Sequence, residues 1–367
     1  MPSVDNSEKT IKVLSVQSHV VSGYVGNRAA TFPMQYLGLD VDVINTVQFS
    51  NHTQYEGFSG QAFGAQHVLD LFNMVSKNGL HDYDFLLSGY MGTAENVDAV
   101  KEICQRLREN NKKLFFVLDT VLGDYGSLYV PEALIGLYKK VLCPLASLVT
   151  PNQFEAELLT DRKIKVLQDA VDVINDLHDI GIPNVVVTSA ELEDVHDESL
   201  GAEVEKQLHL IGSQLVVNCK CSGSDCGDCK NCYTRQMFII SFPFLSGYFT
   251  GAGDLFCSLL LARIANILQT KTHDANATKK CGGMGCVGGR GILGEGDLVQ
   301  ACERALATQA TIIKATHDYQ QSTGVPAPEG LDRSQRKNQM VKGFELRLIP
   351  NREYIANPKV IYKARKL

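Results

Sequence analysis

The sequence predicts an α/β fold with a mostly parallel central sheet flanked by helices on both faces. Three observations predict it. Strand-like and helix-like runs alternate from residue 12 to residue 190, as expected when each parallel strand needs a crossover helix to return. Several strand-like runs, KVLSV and KLFFVLD among them, are short and nearly continuously apolar, which is the pattern of strands covered on both sides. Polar motifs follow the successive strands, namely SHV, NHT, SGY, DTVLGD, TPNQFEAE and TSA. In open parallel sheets ligands gather at those strand ends, so one site built from many loops is expected.

The elements follow in order. KVLSV (12–16) is the first strand and residues 26–37 the first helix; DVDVINTV (40–47) is the second strand and 60–78 is helical in pattern. DFLLSG (84–89) is a strand entering a glycine turn. Residues 94–110 form an amphipathic helix, with Val97, Val100, Ile103, Cys104 and Leu107 on one stripe. KLFFVLD (113–119) is a buried strand ending in Asp119, SLVTPN (147–152) a strand stopped by Pro151, 165–180 a helix and NVVVTS (184–189) a strand. Between 206 and 242, QLHLIGSQLVV and RQMFIISF are strands with no helix between them, hence a β-hairpin with KCSGSDCGDCKNC at its tip. A helix over 252–268, a polar glycine-rich loop, a helix over 297–320, an irregular segment around 323–340 and a last short strand, FELRLI (344–349), complete the chain. There is no internal repeat. The whole of 1–367 is expected to be one domain, with Cys/Gly-rich inserts at about 218–233 and 270–296.

Composition narrows the class. Apolar residues make up 44% and charged residues 21%, which suits a globular chain rather than a disordered one. Lys and Arg number 35 against 41 Asp and Glu, a net charge of −6 that argues against a nucleic-acid partner. The polar start MPSVDNSEKT carries no apolar leader, and no run reaches the ~18 residues of a membrane span, so no membrane partner and a cytoplasmic location are expected. The most apolar helical stretch, LFCSLLLARIANIL (255–268), is too short and carries Arg263.

The sharpest chemical motif is FTGAGDLF (249–256). Gly251, Ala252 and Gly253 leave the backbone open to close approach, and a helix starts there, so free N–H groups and the helix dipole favour a phosphate. A carboxylate in that place needs a reason. Asp254 can accept the proton of a hydroxyl that attacks a γ-phosphoryl group; the plain alternative is an Asp that helps cap the helix.

TGAGDLF resembles the anion-hole and catalytic-Asp motif of the ribokinase superfamily. SVQSHVVSGYVGNRAATFPMQYLG together with VQFSNHTQY resembles the pyridoxal kinase family specifically, as do VLDTVLGDYGSLYVPEAL, TPNQFEAELLT and FELRLI. The likeness runs from about residue 11 to 365, broken by the two inserts. It implies a ribokinase-like fold with the hairpin near the ATP site. The implied activity is ATP-dependent phosphorylation of the 5′-hydroxymethyl group of pyridoxal, pyridoxine or pyridoxamine. It also implies roles. Asp254 would be the general base, with Gly251, Ala252 and Gly253 supplying N–H groups to the transferring phosphate. Ser18 and Thr53 would bind the pyridine substituents, and Val25, His52 and Tyr90 would shape that pocket. Asp119, Asn152 and Glu155 would lie near the ATP phosphates and Mg²⁺. Asp124 and Thr150 would hold a K⁺-type ion, Thr188 and Ser189 would contact the nucleotide and Leu245 the adenine. A homodimer is implied as well. The rival readings are another ribokinase-like kinase, acting on a hydroxymethylpyrimidine or a sugar, and a non-catalytic, metal-regulated binding protein.

The residues carry their own reading beside this. Asp119, Asp124 and Glu155 are hard oxygen ligands at strand ends, which suits Mg²⁺ and alkali ions, but a first-turn Glu such as Glu155 also suits the helix dipole alone. His52, alone in a polar turn, is better read as a packing or hydrogen-bonding residue than as an acid or base. Tyr90 could stack on an aromatic ring or simply fill the core. Three departures from the family pattern stand out: Ala252 replaces the usual Thr, the loop after Asp124 is shorter than in animal members, and the hairpin holds CKCSGSDCGDCKNC. Of the 11 cysteines, Cys104, Cys143, Cys257 and Cys302 are scattered. Cys221, Cys226, Cys229 and Cys232 have spacing that could hold Zn²⁺, with Cys219 beside them and Cys281 and Cys286 as a second arm; an insertion with no ligand is the alternative.

Overall fold

The computed structural model describes residues 10–201, 203–217, 233–273, 291–323 and 332–367. Its strands are β1 (Lys12–Val20), β2 (Asp40–Phe49), β3 (Gly60–Ala62), β4 (Phe85–Ser88), β5 (Phe115–Leu118), β6 (Gly123–Asp124), β7 (Ser127–Leu128), β8 (Leu148–Val149), β9 (Asn184–Ala190), β10 (Gln207–Val217), β11 (Tyr233–Pro243) and β12 (Arg365–Lys366). Ten of them form one sheet in the order β12-β11-β10-β9-β8-β5-β4-β1-β2-β3. The six from β2 to β9 in that order run parallel; β3 is antiparallel at one edge, and β10, β11 and β12 are antiparallel at the other. A mostly parallel sheet was the expectation, and the continuous apolar runs are its cause: β4 and β5 bury every residue.

The helices that position the site are α1 (Asn27–Tyr36), α2 (Ala65–Lys77), α3 (Ala94–Asn110), α4 (Ala133–Leu137), α5 (Gln153–Thr160), α6 (Leu167–Asp179), α7 (Ala252–His273), α8 (Asp297–Ser322), α9 (Arg333–Gly343) and α10 (Arg352–Ala356). Two apolar cores result, one on each face of the sheet. One packs Phe72 of α2, Val100, Ile103 and Leu107 of α3 and Ile174 of α6 against Leu86, Phe116 and Val187. The other packs Met34 of α1, Leu259 and Leu260 of α7 and Leu306 of α8 against Val13, Leu87 and Val117. By length and composition α7 could cross a membrane, yet its residues from Leu255 to Ala265 are buried in this second core, including Arg263. It is apolar because it is covered by protein on most sides.

Four local expectations are corrected. The helix read from residue 60 starts at Ala65; Gly60–Ala62 is instead a strand returning beside β2. Gly60 has φ +146° and its missing Cβ would stand 2.1 Å from the Gln48 carbonyl oxygen, so only glycine permits that pairing. The strand at 147–152 shrinks to Leu148–Val149, since Pro151 cannot donate to a ladder. FELRLI is not a strand. Its alternate apolar residues Leu346 and Leu348 are buried against the α7/α8 core rather than in the sheet, and the place beside β11 is taken by β12. Finally, the segment read as irregular around 323–340 contains α9, which starts at a capping box between Asp332 and Gln335.

Candidate active site

The phosphate-binding turn predicted at Gly251–Gly253 is wedged against the loop that follows β1. Gly251 has φ +84°, and a Cβ there would lie 1.8 Å from the Tyr24 carbonyl oxygen. Gly26, at φ +50°, would in turn meet the Ser18 carbonyl oxygen at 2.1 Å. These two glycines let three backbone segments close on one another. Across the junction the Gly26 N–H donates to the Asp254 carboxylate. Ser18 is placed by a register shift in the β1–β2 ladder between Gln17 and Ser18, a bulge that re-aims the strand end at the site.

α7 begins at Ala252. The Ala252 N–H donates to the Phe249 carbonyl at 3.2 Å and closes the turn, while its own carbonyl accepts from Gln309 Nε2 at 2.8 Å. Of the three donors expected, only the Ala252 N–H is thus engaged; the N–H groups of Gly251 and Gly253, and that of Asp254, have no protein acceptor among the described residues, so with the helix dipole they are donors free for an anion. Asp254 is half-buried, and burial pushes its carboxyl up to about 6 against the opposing pull of the Gly26 N–H.

Asp119 and Thr150, at the ends of β5 and β8, are buried. The Thr150 hydroxyl donates to Asp119 Oδ1 at 3.4 Å. Burial, the charge of Asp254 and that of Glu155 together hold the Asp119 carboxyl well above the usual carboxylate range. Asp124 is raised by burial as well. Among the described residues, no Lys or Arg pairs with Asp119, Asp124 or Asp254. This group of acids lacks positive charge, which fits a bound cation. No three His, Cys, Asp or Glu among the described residues converge into a complete metal cage. A Mg²⁺ that keeps waters and shares phosphate oxygens needs none.

Glu155 is used differently from Asp119. Asn152 caps α5 in a capping box with it: Asn152 Oδ1 accepts from the Glu155 N–H at 2.9 Å, and Glu155 Oε2 accepts from the Asn152 N–H at 3.0 Å. Glu155 Oε2 also accepts from the Thr120 hydroxyl, and Oε1 from the N–H groups of Leu122 and Gly123. Burial pushes its carboxyl up to about 7 while these four donors favour the ionised form. Both of its oxygens are therefore engaged by protein donors. It fixes the Thr120–Gly123 turn, which Asn152 Nδ2 also holds through the Gly123 carbonyl at 2.8 Å.

At the β1–β2 end of the site, His52 is buried and its Nε2 lies 2.9 Å from Glu345 Oε1. The Tyr55 hydroxyl donates to the same oxygen at 3.0 Å. Tyr90 follows β4, and its carbonyl accepts from the Thr46 hydroxyl at 2.6 Å. At the hairpin end, Leu208 of β10 and Phe242 of β11 join Phe244 and Tyr362 in an apolar wall. Between the two ends stands the small β6–β7 hairpin, turned by Tyr125 and Gly126, both at positive φ. Its Tyr129 hydroxyl is hydrogen-bonded to that of Tyr248, across from it.

One cavity of about 830 Å³ collects these groups. It is lined by every residue predicted for the kinase site: Gly251, Ala252, Gly253 and Asp254; Ser18, Val25, His52, Thr53 and Tyr90; Asp119, Asp124, Thr150, Asn152 and Glu155; Thr188, Ser189 and Leu245. The proposed zinc ligands Cys221, Cys226, Cys229 and Cys232, with Cys281 and Cys286, lie outside the described residues. Cys104, Cys143, Cys257 and Cys302 are buried thiols outside any disulfide. Sequence reasoning missed Tyr129, Tyr248 and the α8 residues Leu306, Ala310, Ile313 and Lys314 of the cavity wall, and Glu345, which holds His52 and Tyr55 from outside that lining. The α8 residues recur at helical spacing, like any core stripe, so nothing local marked them as cavity wall.

Comparison with known proteins bears on this geometry. Residues 82–279 match a family model described as phosphomethylpyrimidine kinase. The chain is 34% identical to the pyridoxal kinase of Homo sapiens over 97% of this chain and 99% of the relative. It is 36% identical to that of Arabidopsis thaliana over 97% and 95%. Among solved structures it superposes on the pyridoxal kinase from Leishmania donovani in complex with ADP and ginkgotoxin with a TM-score of 0.73, at 26% identity, covering 97% of this chain and 99% of that one. The same enzyme in complex with ADP and pyridoxine gives a TM-score of 0.72 at 26% identity over the same shares.

Proposed function

The chain belongs to the pyridoxal kinase family, and from that premise we propose how its own residues carry the reaction. The activity is ATP-dependent phosphorylation of the 5′-hydroxymethyl group of pyridoxal, pyridoxine and pyridoxamine. Asp254 takes the proton of that hydroxyl as its oxygen attacks the γ-phosphorus, and the bond from that phosphorus to the β,γ-bridging oxygen breaks, releasing ADP. The main-chain N–H groups of Gly251, Gly253 and Asp254 receive the transferring phosphoryl oxygens. Ser18 and Thr53 hold the ring substituents, with Val25, His52 and Tyr90 as walls. Thr188 and Ser189 hold the nucleotide, and Leu245 packs on its base. Asn152 supports the phosphate region through the turn it caps.

A kinase of this kind needs a divalent ion with its nucleotide. Mg²⁺ held at Asp119 would neutralise charge on the ATP phosphates. Asp124 and Thr150 would hold a K⁺-type ion, and the shortage of positive charge around these acids supports both assignments. Zn²⁺ in the cysteine insert remains a separate proposal on thiol spacing alone. A homodimeric, cytoplasmic enzyme built as a single kinase domain is the reading that family membership favours.

The observation that carries the mechanism is that Asp254, with unpaired N–H groups beside it, lines the same cavity as Ser18 and Thr53. The test is Asp254→Asn. A general base contributes about 10²–10⁴-fold, so kcat should fall by that much while vitamer binding persists. A variant with near-normal turnover removes Asp254 from the mechanism. The matched family model makes hydroxymethylpyrimidine the pertinent rival acceptor. Turnover on it should stay well below turnover on pyridoxal, and ribose should not react.

A further inference from the structure

Glu345 sits far from the reacting groups in sequence and is absent from the roles above. Its Oε1 accepts from Tyr55 and pairs with His52 Nε2, so one carboxylate oxygen ties two residues of the loop that carries Thr53. The His52 and Tyr55 rings also lie against each other, with centroids 4.9 Å apart. On its other side Glu345 fills the space left by Gly23. A Cβ there would stand 2.7 Å from Oε1, and φ is +97°. Gly23 begins the turn through Tyr24 to Gly26 that feeds the N–H onto Asp254. The carboxylate therefore joins both ring-binding loops, after β1 and after β2.

The neighbouring chain extends this contact. Phe344 packs edge-on against Phe249 at 5.3 Å and fits where Gly247 has no side chain, just ahead of the phosphate turn. From α9, Asn338 Oδ1 accepts from the Glu56 N–H at 2.9 Å and Lys337 pairs with the Glu56 carboxylate at 3.0 Å. The segment from Lys337 to Glu345 thus grips the Asn51–Gly57 loop at three points and the phosphate turn at a fourth. His52 is buried, and only 17% of the Glu345 side chain is exposed, so water does not readily replace the carboxylate as partner.

We propose that Glu345 is a positioning residue for the vitamer: it fixes His52, Tyr55 and the Gly23 turn so that Thr53 and Ser18 meet the ring together, without touching the reacting atoms itself. This rests on the pyridoxal kinase reading above. It predicts a split. Losing the carboxylate loosens two ring-binding loops at once but leaves the nucleotide wall of Thr188, Leu208 and Phe242 intact, so vitamer affinity falls and ATP affinity does not.

The experiment compares wild type with Glu345→Ala, Glu345→Gln and Tyr55→Phe, by steady-state kinetics and by direct titration of pyridoxine into the ATP-free protein. Wild-type turnover on pyridoxal with MgATP checks the underlying reading by itself. Glu345→Ala should raise the pyridoxal KM and pyridoxine Kd at least tenfold, with the ATP KM within twofold. Glu345→Gln keeps an oxygen that can accept from both donors and should recover most of the loss. Tyr55→Phe removes one donor and should raise the same constants about threefold, which keeps the idea testable if Glu345→Ala does not fold. Equal rises in both KM values, or unchanged vitamer constants in a folded variant, overturn the proposal.

Discussion

Replacing Gly251 and Gly253 by alanine, one at a time, separates the two jobs of the phosphate turn. At Gly251 the positive φ costs an L-residue about 1–2 kcal/mol. The new Cβ also meets the Tyr24 carbonyl, a backbone atom that cannot rotate away, and such overpacking costs a further ~1–3 kcal/mol. The sum is roughly 2–5 kcal/mol. With an unfolding entropy of ~2.1 cal/mol/K per residue over 367 residues, about 0.77 kcal/mol/K, Gly251→Ala should lower Tm by roughly 3–6 °C. It should also cut turnover, because the displaced Tyr24–Gly26 loop carries the N–H that holds Asp254. Gly253 has nothing within 4 Å of its would-be Cβ and lies in the first turn of α7. Alanine there gains up to ~1 kcal/mol of helix propensity, so Tm should hold or rise by about 1 °C. Its methyl nevertheless stands beside the N–H offered to the phosphate, and kcat/KM for ATP should fall. Thermal melts and steady-state kinetics on both variants decide the matter. A Gly251→Ala protein melting with wild type, or a Gly253→Ala protein destabilised as much as Gly251→Ala, refutes the reasoning.

Further outcomes follow from the carboxylates. Asp254 must be ionised to act, and burial raises it to about 6, so kcat/KM should drop tenfold per pH unit below that value and hold from pH 7 to 8; a profile flat down to pH 5 contradicts the assignment. Stability runs the other way. Asp254 and Glu155 rise on folding from 3.8 and 4.5 to about 6 and about 7, so the folded state keeps their protons longer. Without cations, Tm should therefore decline as pH climbs from about 4 to 7. Asp119→Asn removes a buried charge repelled by two others, so the ligand-free protein should melt about 1–3 °C higher at pH 8 while activity and any Tm response to Mg²⁺ are lost. Ala252→Thr adds the hydroxyl usual in this family at the start of α7. The ATP KM should fall severalfold with the vitamer KM unchanged, and an unchanged ATP KM would show that main-chain donors alone hold the phosphates.

Local rules made much of this protein legible. The α3 boundaries at Ala94 and Asn110 follow from one apolar stripe and the Thr93 cap, and the parallel strands from unbroken apolar runs. The turn at Gly251–Gly253 declares itself because close backbone approach requires small residues wherever the chain goes next. Other features depend on what lies opposite. FELRLI has the alternation of a strand, yet its apolar side faces the α7/α8 core, because periodicity reports that one side is covered but not by what. Glu155 could be read as ligand or cap, and the four donors converging on it from residues 120 to 152, which show that it also braces a turn, are invisible in its local sequence. His52 and Glu345 are 293 residues apart, so no spacing rule could pair them. The parallel strands β1, β2, β4, β5 and β9, the helices α1, α3 and α6 and the phosphate turn can be read from the chain alone, since they answer to propensity and burial within a few residues. Which loops share a cavity and which acids stay without a counter-charge emerge on folding, because contacts between distant segments set burial and with it the electrostatics.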